Sequence, residues 1–190
     1  MSDYFLQQQY AGITYGRDDL NLKEFEGCTF SRCDFSACNF IGVTFIDCNF
    51  TDCNFTGAKI NHVAFRTANF TNCLMQEINF AMCDKLIFEM HFNRCVLDFS
   101  KFYTLKIKRM EFIDCSMIAV DFMKADLTEV IFDRCDLYKA VFSQTILEKA
   151  DFRTSLNFTL DPEKNKLKKA MFSLATVKGL LDKHDIVVID

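Results

Sequence analysis

Proline, tryptophan and glycine are scarce in this chain of 190 residues, which contains one Pro, six Gly and no Trp. Because Pro and Gly form most tight turns, these counts indicate either a mostly helical chain or a very regular repeat. Long apolar runs are also missing, since no segment approaches the roughly 20 apolar residues of a membrane span. We therefore expect no interaction with a membrane.

A signal peptide is missing as well, because no basic region followed by an apolar stretch opens the sequence. The ten Cys would suit the disulfide framework of a small secreted domain. The chain, however, is long enough to bury a full core without such cross-links. We therefore predict reduced, buried thiols and a cytoplasmic location.

Positive charge is not in excess. The chain has 22 Lys and Arg against 26 Asp and Glu, which gives a formal net charge of −4. Surfaces that bind DNA or RNA are normally basic. We therefore expect no direct binding to nucleic acid.

Phenylalanine, by contrast, is abundant and regularly spaced. Of the 22 Phe, 19 fall on two series with a period of five, which run from Phe25 to Phe80 and from Phe92 to Phe152, counting Phe5 and Phe172 at their ends. Two residues before each large apolar position lies a smaller one, often Cys or Ala. A helix repeats every 3.6 residues and a strand every two, so neither explains a period of five.

The repeating unit has a specific pattern, which is Ala or Cys, then Asp or Asn, then Leu or Phe, then two variable residues. It occurs in Cys33-Asp34-Phe35, Cys38-Asn39-Phe40, Cys53-Asn54-Phe55 and Ala125-Asp126-Leu127. Over about residues 20–157 the chain resembles the pentapeptide-repeat family. The resemblance implies an all-β fold, a right-handed quadrilateral β-helix. In that fold four pentapeptides form one coil of about 20 residues, and about seven or eight coils stack as a solenoid.

One column of cysteines supports this coil size. The five-residue phase slips by two between Phe80 and Phe92, so the spacing of a column should be 20, once 22, and then 20 again. The cysteines with this spacing are Cys33, Cys53, Cys73, Cys95, Cys115 and Cys135. They could bind a metal, react in redox chemistry or simply pack. We favour packing, because metal ligands converge on a point and the three histidines do not join this line.

Two interruptions accompany the repeat. The two-residue insertion lies within residues 81–90, around Asp84, Lys85 and Leu86. It is either a tolerated bulge or a contact with a partner, since insertions in repeat proteins often lie on the binding face. Residues 1–19 follow the period only weakly and predict an irregular N-terminal cap.

The last residues change character, which divides the chain into a β-helix over residues 1–173 and a tail over 174–190. Leu174, Val177 and Leu181 have helical spacing, with Ser173 as a candidate cap, and an apolar strand follows. The tail is similar to that of the Qnr-type members, which protect DNA gyrase from quinolones, and to that of the microcin B17 immunity protein. This implies a tail-to-tail homodimer, whose interface residues would be Leu174, Val177, Leu180, Leu181, Ile186, Val187, Val188 and Ile189. The alternative is an end cap within one chain.

No catalytic constellation is visible, because the cysteine rows lack a neighbouring histidine and no glycine-rich phosphate loop occurs. We therefore expect no enzymatic activity, no cofactor and no metal. The resemblance implies binding to DNA gyrase or topoisomerase IV as a DNA-like rod, with protection from quinolones or a toxin. That role needs an acidic stripe, whereas columns of residues one coil apart mix both signs. One reads Arg32, Asp52, Asn72, Arg94, Asp114, Arg134, and another Asp47, Thr67, Glu89, Arg109, Glu129, Lys149.

The alternative is a general protein-interaction scaffold with an unrelated target. Its support is a set of apolar residues at outward positions, namely Tyr103, Ile118, Met123 and Tyr138. These could form a patch of the kind that marks interfaces. They could equally be the scattered surface apolar residues that most proteins carry.

Overall fold

The computed structural model describes residues 3–84 and 89–187. Short strands form an all-β parallel solenoid. The strands are β1 (Asp3–Leu6), β2 (Gln9–Ala11), β3 (Lys23–Glu26), β4 (Thr29–Ser31), β5 (Thr44–Ile46), β6 (Asn49–Thr51), β7 (Ala64–Arg66), β8 (Ala68–Thr71), β9 (Met90–Asn93), β10 (Glu111–Ile113) and β11 (Ile131–Asp133). Three 3₁₀ helices span Phe80–Met82, Val177–Leu180 and Asp182–His184. No helix in the described part of the chain is long and apolar enough to cross a membrane.

Two parallel sheets form two sides of the solenoid. One has the order β1-β3-β5-β7, and the other β11-β10-β9-β8-β6-β4-β2. Phe25 pairs with Phe45, Phe70 with Phe92 and Phe92 with Phe112, so the offset is 20 residues, then 22, then 20. The pairing therefore has the spacing that the cysteine column predicts. Single parallel bridges, such as Asp34 to Asn54, connect the coils on the remaining sides.

The core is built from columns of inward side chains, one residue per coil. The longest aromatic column contains Tyr10, Phe30, Phe50, Phe70, Phe92, Phe112, Phe132, Phe152 and Phe172. Successive ring centroids in it lie 4.8–5.4 Å apart. Burying one Phe contributes roughly 1.5–3 kcal/mol, and stacked rings add to this. The five-residue period thus produces one continuous core along the solenoid.

The corners of each coil depend on one backbone conformation. The residue two places after an inward large side chain has a positive φ, as at Arg32 (52°), Asp52 (55°) and Arg134 (52°). This left-handed conformation turns the chain sharply, which suits Gly best. Gly occupies such corners at positions 12, 27, 42 and 57. Most other corners carry side chains that point away from the core.

The N-terminal residues are more regular than the sequence predicts. Phe5 pairs with Phe25 and Tyr10 with Phe30 at the usual offset of 20 residues. The Tyr15 ring stacks on Phe35 at 5.0 Å. Strands at residues 3–6 and 9–11 therefore continue the coil, whereas residues 17–22 form turns without a left-handed corner at Arg17. Aromatic side chains in phase are enough to continue the coil, even without the small inward residues of the later repeats.

The tail also differs from the sequence-based expectation. No α-helix occurs among residues 3–84 and 89–187, and two 3₁₀ helices take the place of the predicted one. Ser173 and Thr176 bond to each other's backbone N–H groups at 3.2 and 3.0 Å, the reciprocal arrangement that caps the start of a helical turn. Asp185, with φ of 49°, follows the last turn. Ile186 and Val187 are not in a strand, and Val188 and Ile189 lie outside the described residues.

Candidate interaction surface

Phe99 breaks the five-residue pattern. Three Phe are out of phase, of which Phe88 lies outside the described residues and Phe158 is buried beneath the tail. Phe99 is 57% exposed and occupies a corner with φ of 61°. A bulky side chain in the left-handed region is uncommon and costs conformational energy. Nothing in the packing of the coil requires an aromatic ring at this position.

Other apolar side chains lie near this corner on the two following coils. The Phe99 N–H donates to the carbonyl oxygen of Ile118 at 2.8 Å, and the Ala119 N–H donates to that of Tyr138 at 2.8 Å. Met123 and Val141 lie past this corner, on the next side of the solenoid. They belong to neighbouring coils, since Asp121, on the coil of Met123, bridges to Val141. We call this set the corner patch, which consists of Phe99, Ile118, Met123, Tyr138 and Val141. Ile118 is half-buried, and the other four are 40–57% exposed.

The sequence predicted part of this surface. Ile118, Met123 and Tyr138 belong to the corner patch, and Tyr103 lies half-buried on the coil before Met123. Phe99 and Val141 were missed. The signal for Phe99 was available, because it is an aromatic residue at a position where the repeat does not place one.

Three aspartates hold the backbone beneath the corner patch. The Asp98 carboxylate accepts hydrogen bonds from the N–H of Ile118 at 2.9 Å and from the Ser116 hydroxyl at 2.7 Å. Asp121 accepts from the N–H of Met123 at 2.8 Å, and Asp136 from that of Tyr138 at 3.0 Å. Such bonds stabilise local turns. Three of the five residues of the patch are therefore presented by a fixed backbone.

The cysteines belong to the core. All ten are free and buried, and each coil uses them in a similar way. The Cys53 thiol donates to the carbonyl oxygen of Phe30 at 3.5 Å, and that of Cys135 to Phe112 at 3.3 Å. Burial raises the pKa of Cys38 and of Cys48 to about 12, so both thiols stay protonated and unreactive at neutral pH. In the described part of the chain, no three His, Cys, Asp or Glu side chains converge as a metal site.

Cross-coil ion pairs neutralise much of the acidic charge in the C-terminal coils. Glu129 lies between Lys149 (2.5 Å) and Arg109 (2.9 Å), and Arg134 contacts Asp114 at 2.6 Å. Hydrogen bonds from Lys149 and then Arg109 lower the pKa of Glu129 to about 2. Within residues 3–84 and 89–187, every ion pair lies between 89 and 183. This part of the solenoid therefore presents no continuous acidic stripe.

The tail folds back on the last coil. Lys183 contacts Asp161 at 2.7 Å and Glu163 at 2.9 Å, and the Thr159 hydroxyl donates to Asp182 at 2.7 Å. Leu180 packs against the core and Leu181 is half-buried. The other described residues of the predicted dimer interface face outward, with exposures of 96% for Leu174, 37% for Val177, 56% for Ile186 and 86% for Val187.

The predicted insertion site is described only in part. Asp84 is half-buried, and its N–H donates to the carbonyl oxygen of Val63 at 2.9 Å. Lys85 and Leu86 lie outside the described residues. A role for this segment in binding a partner stays a prediction.

Comparison with protein families decides the classification. The family model described as a pentapeptide repeat region matches residues 23–87 and 85–160, which is most of the chain. The chain belongs to the pentapeptide-repeat family. In this pentapeptide-repeat protein, the repeat produces the stacked coils, with inward columns of Phe and Cys and left-handed corners.

Solved structures show more distant likeness. A trypsin-treated variant of QnrB1, a plasmid-mediated fluoroquinolone resistance protein, is 20% identical, with 98% of this chain and 100% of that chain covered and a TM-score of 0.48. HetL, a pentapeptide-repeat protein involved in heterocyst differentiation regulation in the cyanobacterium Nostoc sp., is 13% identical, with 90% and 87% covered and a TM-score of 0.41. No curated protein matches the sequence significantly.

Proposed function

We propose that this pentapeptide-repeat protein is a non-enzymatic rod that binds another protein through the corner patch. The observation that carries the proposal is the exposed ring of Phe99 at a corner where Gly would suit the backbone better. Aromatic side chains, Phe included, are enriched at protein interfaces relative to the rest of the surface. Ile118, Met123, Tyr138 and Val141 extend the apolar area around this ring.

The test is a quantitative pull-down from the source organism that compares variants. Phe99→Ala removes the central ring, and Leu22→Ala serves as the matched control, because Leu22 is 61% exposed at a corner with φ of 59°. A partner retained by the wild type and by Leu22→Ala but lost by Phe99→Ala supports the proposal. Retention of the same proteins by Phe99→Ala would show that the corner patch is not the binding surface.

DNA gyrase or topoisomerase IV is a second candidate partner. The observation in its favour is an acidic N-terminal section, because residues 3–83 carry nine acidic against five basic side chains and form no ion pairs with described residues. The acidic ones are Asp3, Asp18, Asp19, Glu24, Glu26, Asp34, Asp47, Asp52 and Glu77, and the basic ones Arg17, Lys23, Arg32, Lys59 and Arg66. Negative potential of this kind attracts a DNA-binding surface.

The topoisomerase hypothesis has a direct assay. Purified gyrase is tested for supercoiling with and without a quinolone, in the presence of this protein at micromolar concentration. Inhibition of supercoiling by this protein alone, or recovery of supercoiling in the presence of the quinolone, supports binding to gyrase. If neither occurs, the topoisomerase hypothesis is wrong, while binding of another protein through the corner patch is unaffected.

A tail-to-tail homodimer remains part of the proposed assembly. Its support is the outward position of Leu174 and Val187, which leaves apolar side chains exposed at the end of the solenoid. The double variant Leu174→Asp, Val187→Asp should halve the mass measured by light scattering, while Lys178→Asp should not. A monomeric wild type, or an unchanged mass of the double variant, contradicts the dimer.

A further inference from the structure

The corner patch is bordered by lysines that have no acidic partner. Lys101, Lys124 and Lys139 are exposed and form no ion pair with any described residue. Lys101 and Lys124 lie on the same side of the solenoid as Met123, and Lys139 follows Tyr138 in the sequence. The Lys139 ammonium lies 5.1 Å from the centroid of the Tyr138 ring, so it already faces the patch.

Three carboxylates beside the corner patch are engaged by its backbone, whereas Glu77, which precedes Phe99 at the same corner on the previous coil, is exposed. Asp98, Asp121 and Asp136 are half-buried and accept hydrogen bonds from backbone N–H groups of the patch itself. From the Phe99 coil onward, the most exposed charged side chains beside the corner patch are therefore the lysines. The lysines can move to meet a partner, whereas the aspartates are held in place by these bonds.

A small residue lies between two long ones in the corner column. Phe99, Ala119 and Lys139 follow one another at this corner on three successive coils, as the pairing of Phe99 with Ile118 and of Ala119 with Tyr138 shows. Adjacent coils are about 4.8 Å apart, so Phe99 and Lys139 are about 10 Å apart along the column. Ala119, whose side chain is small, lies between them.

We infer that the corner patch binds an acidic segment of another protein that carries large apolar side chains. One apolar side chain lies over Ala119 against the Phe99 ring, and neighbouring carboxylates contact Lys101, Lys124 or Lys139. This inference rests on the proposed function and names the chemistry of its partner. A basic surface, such as the DNA-binding surface of a topoisomerase, would be repelled by the same three lysines.

The first test uses synthetic peptides and the full chain. A labelled peptide that contains Asp, Glu, Phe and Leu is compared by fluorescence anisotropy with one in which Asn and Gln replace the acids. We expect the acidic peptide to bind at least about tenfold more tightly and to weaken as ionic strength rises. Equal affinity of the two peptides, or no binding by either, overturns the inference.

The second test reverses charge at the patch. The double variant Lys124→Glu, Lys139→Glu should reduce affinity for the acidic peptide at least about tenfold. The control is Lys59→Glu, because Lys59 is an exposed lysine that pairs with no described acidic residue, placed on a distant N-terminal coil. An equal effect of both changes would show general electrostatic attraction and would overturn the inference.

The pull-down separates this inference from the proposed function. If Phe99→Ala loses a partner that the double lysine variant keeps, the corner patch binds a protein but not through acidic contacts. If both variants lose the same partner while Lys59→Glu keeps it, the acidic segment is supported.

Discussion

Gly179 lies directly against Phe158, with no room for a β-carbon between the two residues. A Cβ at position 179 would be 2.3 Å from the carbonyl oxygen of Phe158 and 2.8 Å from its ring. The Gly179 carbonyl oxygen also accepts a hydrogen bond from the N–H of Leu160 at 2.9 Å. The tail is therefore held on the last coil by a contact that only glycine permits.

The substitution Gly179→Ala tests this contact. We expect it to displace the tail and to destabilise the protein by about 1–3 kcal/mol, the usual cost of overpacking. Hydrogen exchange should become faster over residues 173–187, and the neighbouring exposed change Lys178→Ala should leave it unaltered. Unchanged exchange in Gly179→Ala would mean that the tail is held elsewhere.

Two phenylalanines offer a comparison between packing and binding. Phe112 is fully buried and stacks on Phe92 and Phe132 at 5.4 Å, so Phe112→Ala should lower the free energy of unfolding by about 3–5 kcal/mol. Phe99→Ala should change it by no more than about 0.5 kcal/mol, because the ring is exposed. Chemical denaturation measures both. A large loss of unfolding free energy in Phe99→Ala would show that Phe99 stabilises the fold.

Ser100 contributes a buried hydroxyl where the coil register changes. Its oxygen donates to the Met75 carbonyl at 2.7 Å and accepts from the Ile78 N–H at 3.1 Å. Removal of the hydroxyl leaves both groups without this partner, so Ser100→Ala should destabilise the protein by about 1–3 kcal/mol. Ser155→Ala is the control, because the Ser155 hydroxyl donates to the Phe132 carbonyl at 2.8 Å and accepts no N–H from a described residue. Denaturation midpoints should fall further for Ser100→Ala, and equal midpoints would contradict this account.

The Glu129 ion pairs predict a specific dependence on pH. Folding lowers the pKa of this carboxyl from 4.5 to about 2, so its contribution is complete above pH 4.5 and disappears as the pH falls toward 2. The melting temperature of Glu129→Gln should therefore lie slightly below that of the wild type at pH 7, and the difference should vanish near pH 2. Glu148→Gln, at a carboxyl without an ion pair to described residues, should show no such trend. A difference in melting temperature that persists at pH 2 would show that it does not arise from the Glu129 ion pairs.

Several features of the fold were predictable because they repeat. The inward positions of Phe and Cys follow from the period of five, and the change of offset between Phe70 and Phe92 follows from the cysteine spacing. The N-terminal coil was underestimated, because Phe5, Tyr10 and Tyr15 keep the phase while the smaller inward residues do not. The tail was predicted as a helix, because apolar spacing does not reveal the contact between Gly179 and Phe158.

The sequence by itself determined the inward columns and the position of the register change, since each depends on local spacing repeated many times. The all-β solenoid followed from the resemblance of the repeat to the pentapeptide-repeat family. Only the tertiary structure decided which outward residues come together. Phe99, Ile118 and Tyr138 are 19 or 20 residues apart in the chain, and they become neighbours because successive coils stack. The tertiary structure also decided which charges beside the corner patch are most exposed, because backbone N–H groups engage Asp98, Asp121 and Asp136 while Lys101, Lys124 and Lys139 extend into solvent.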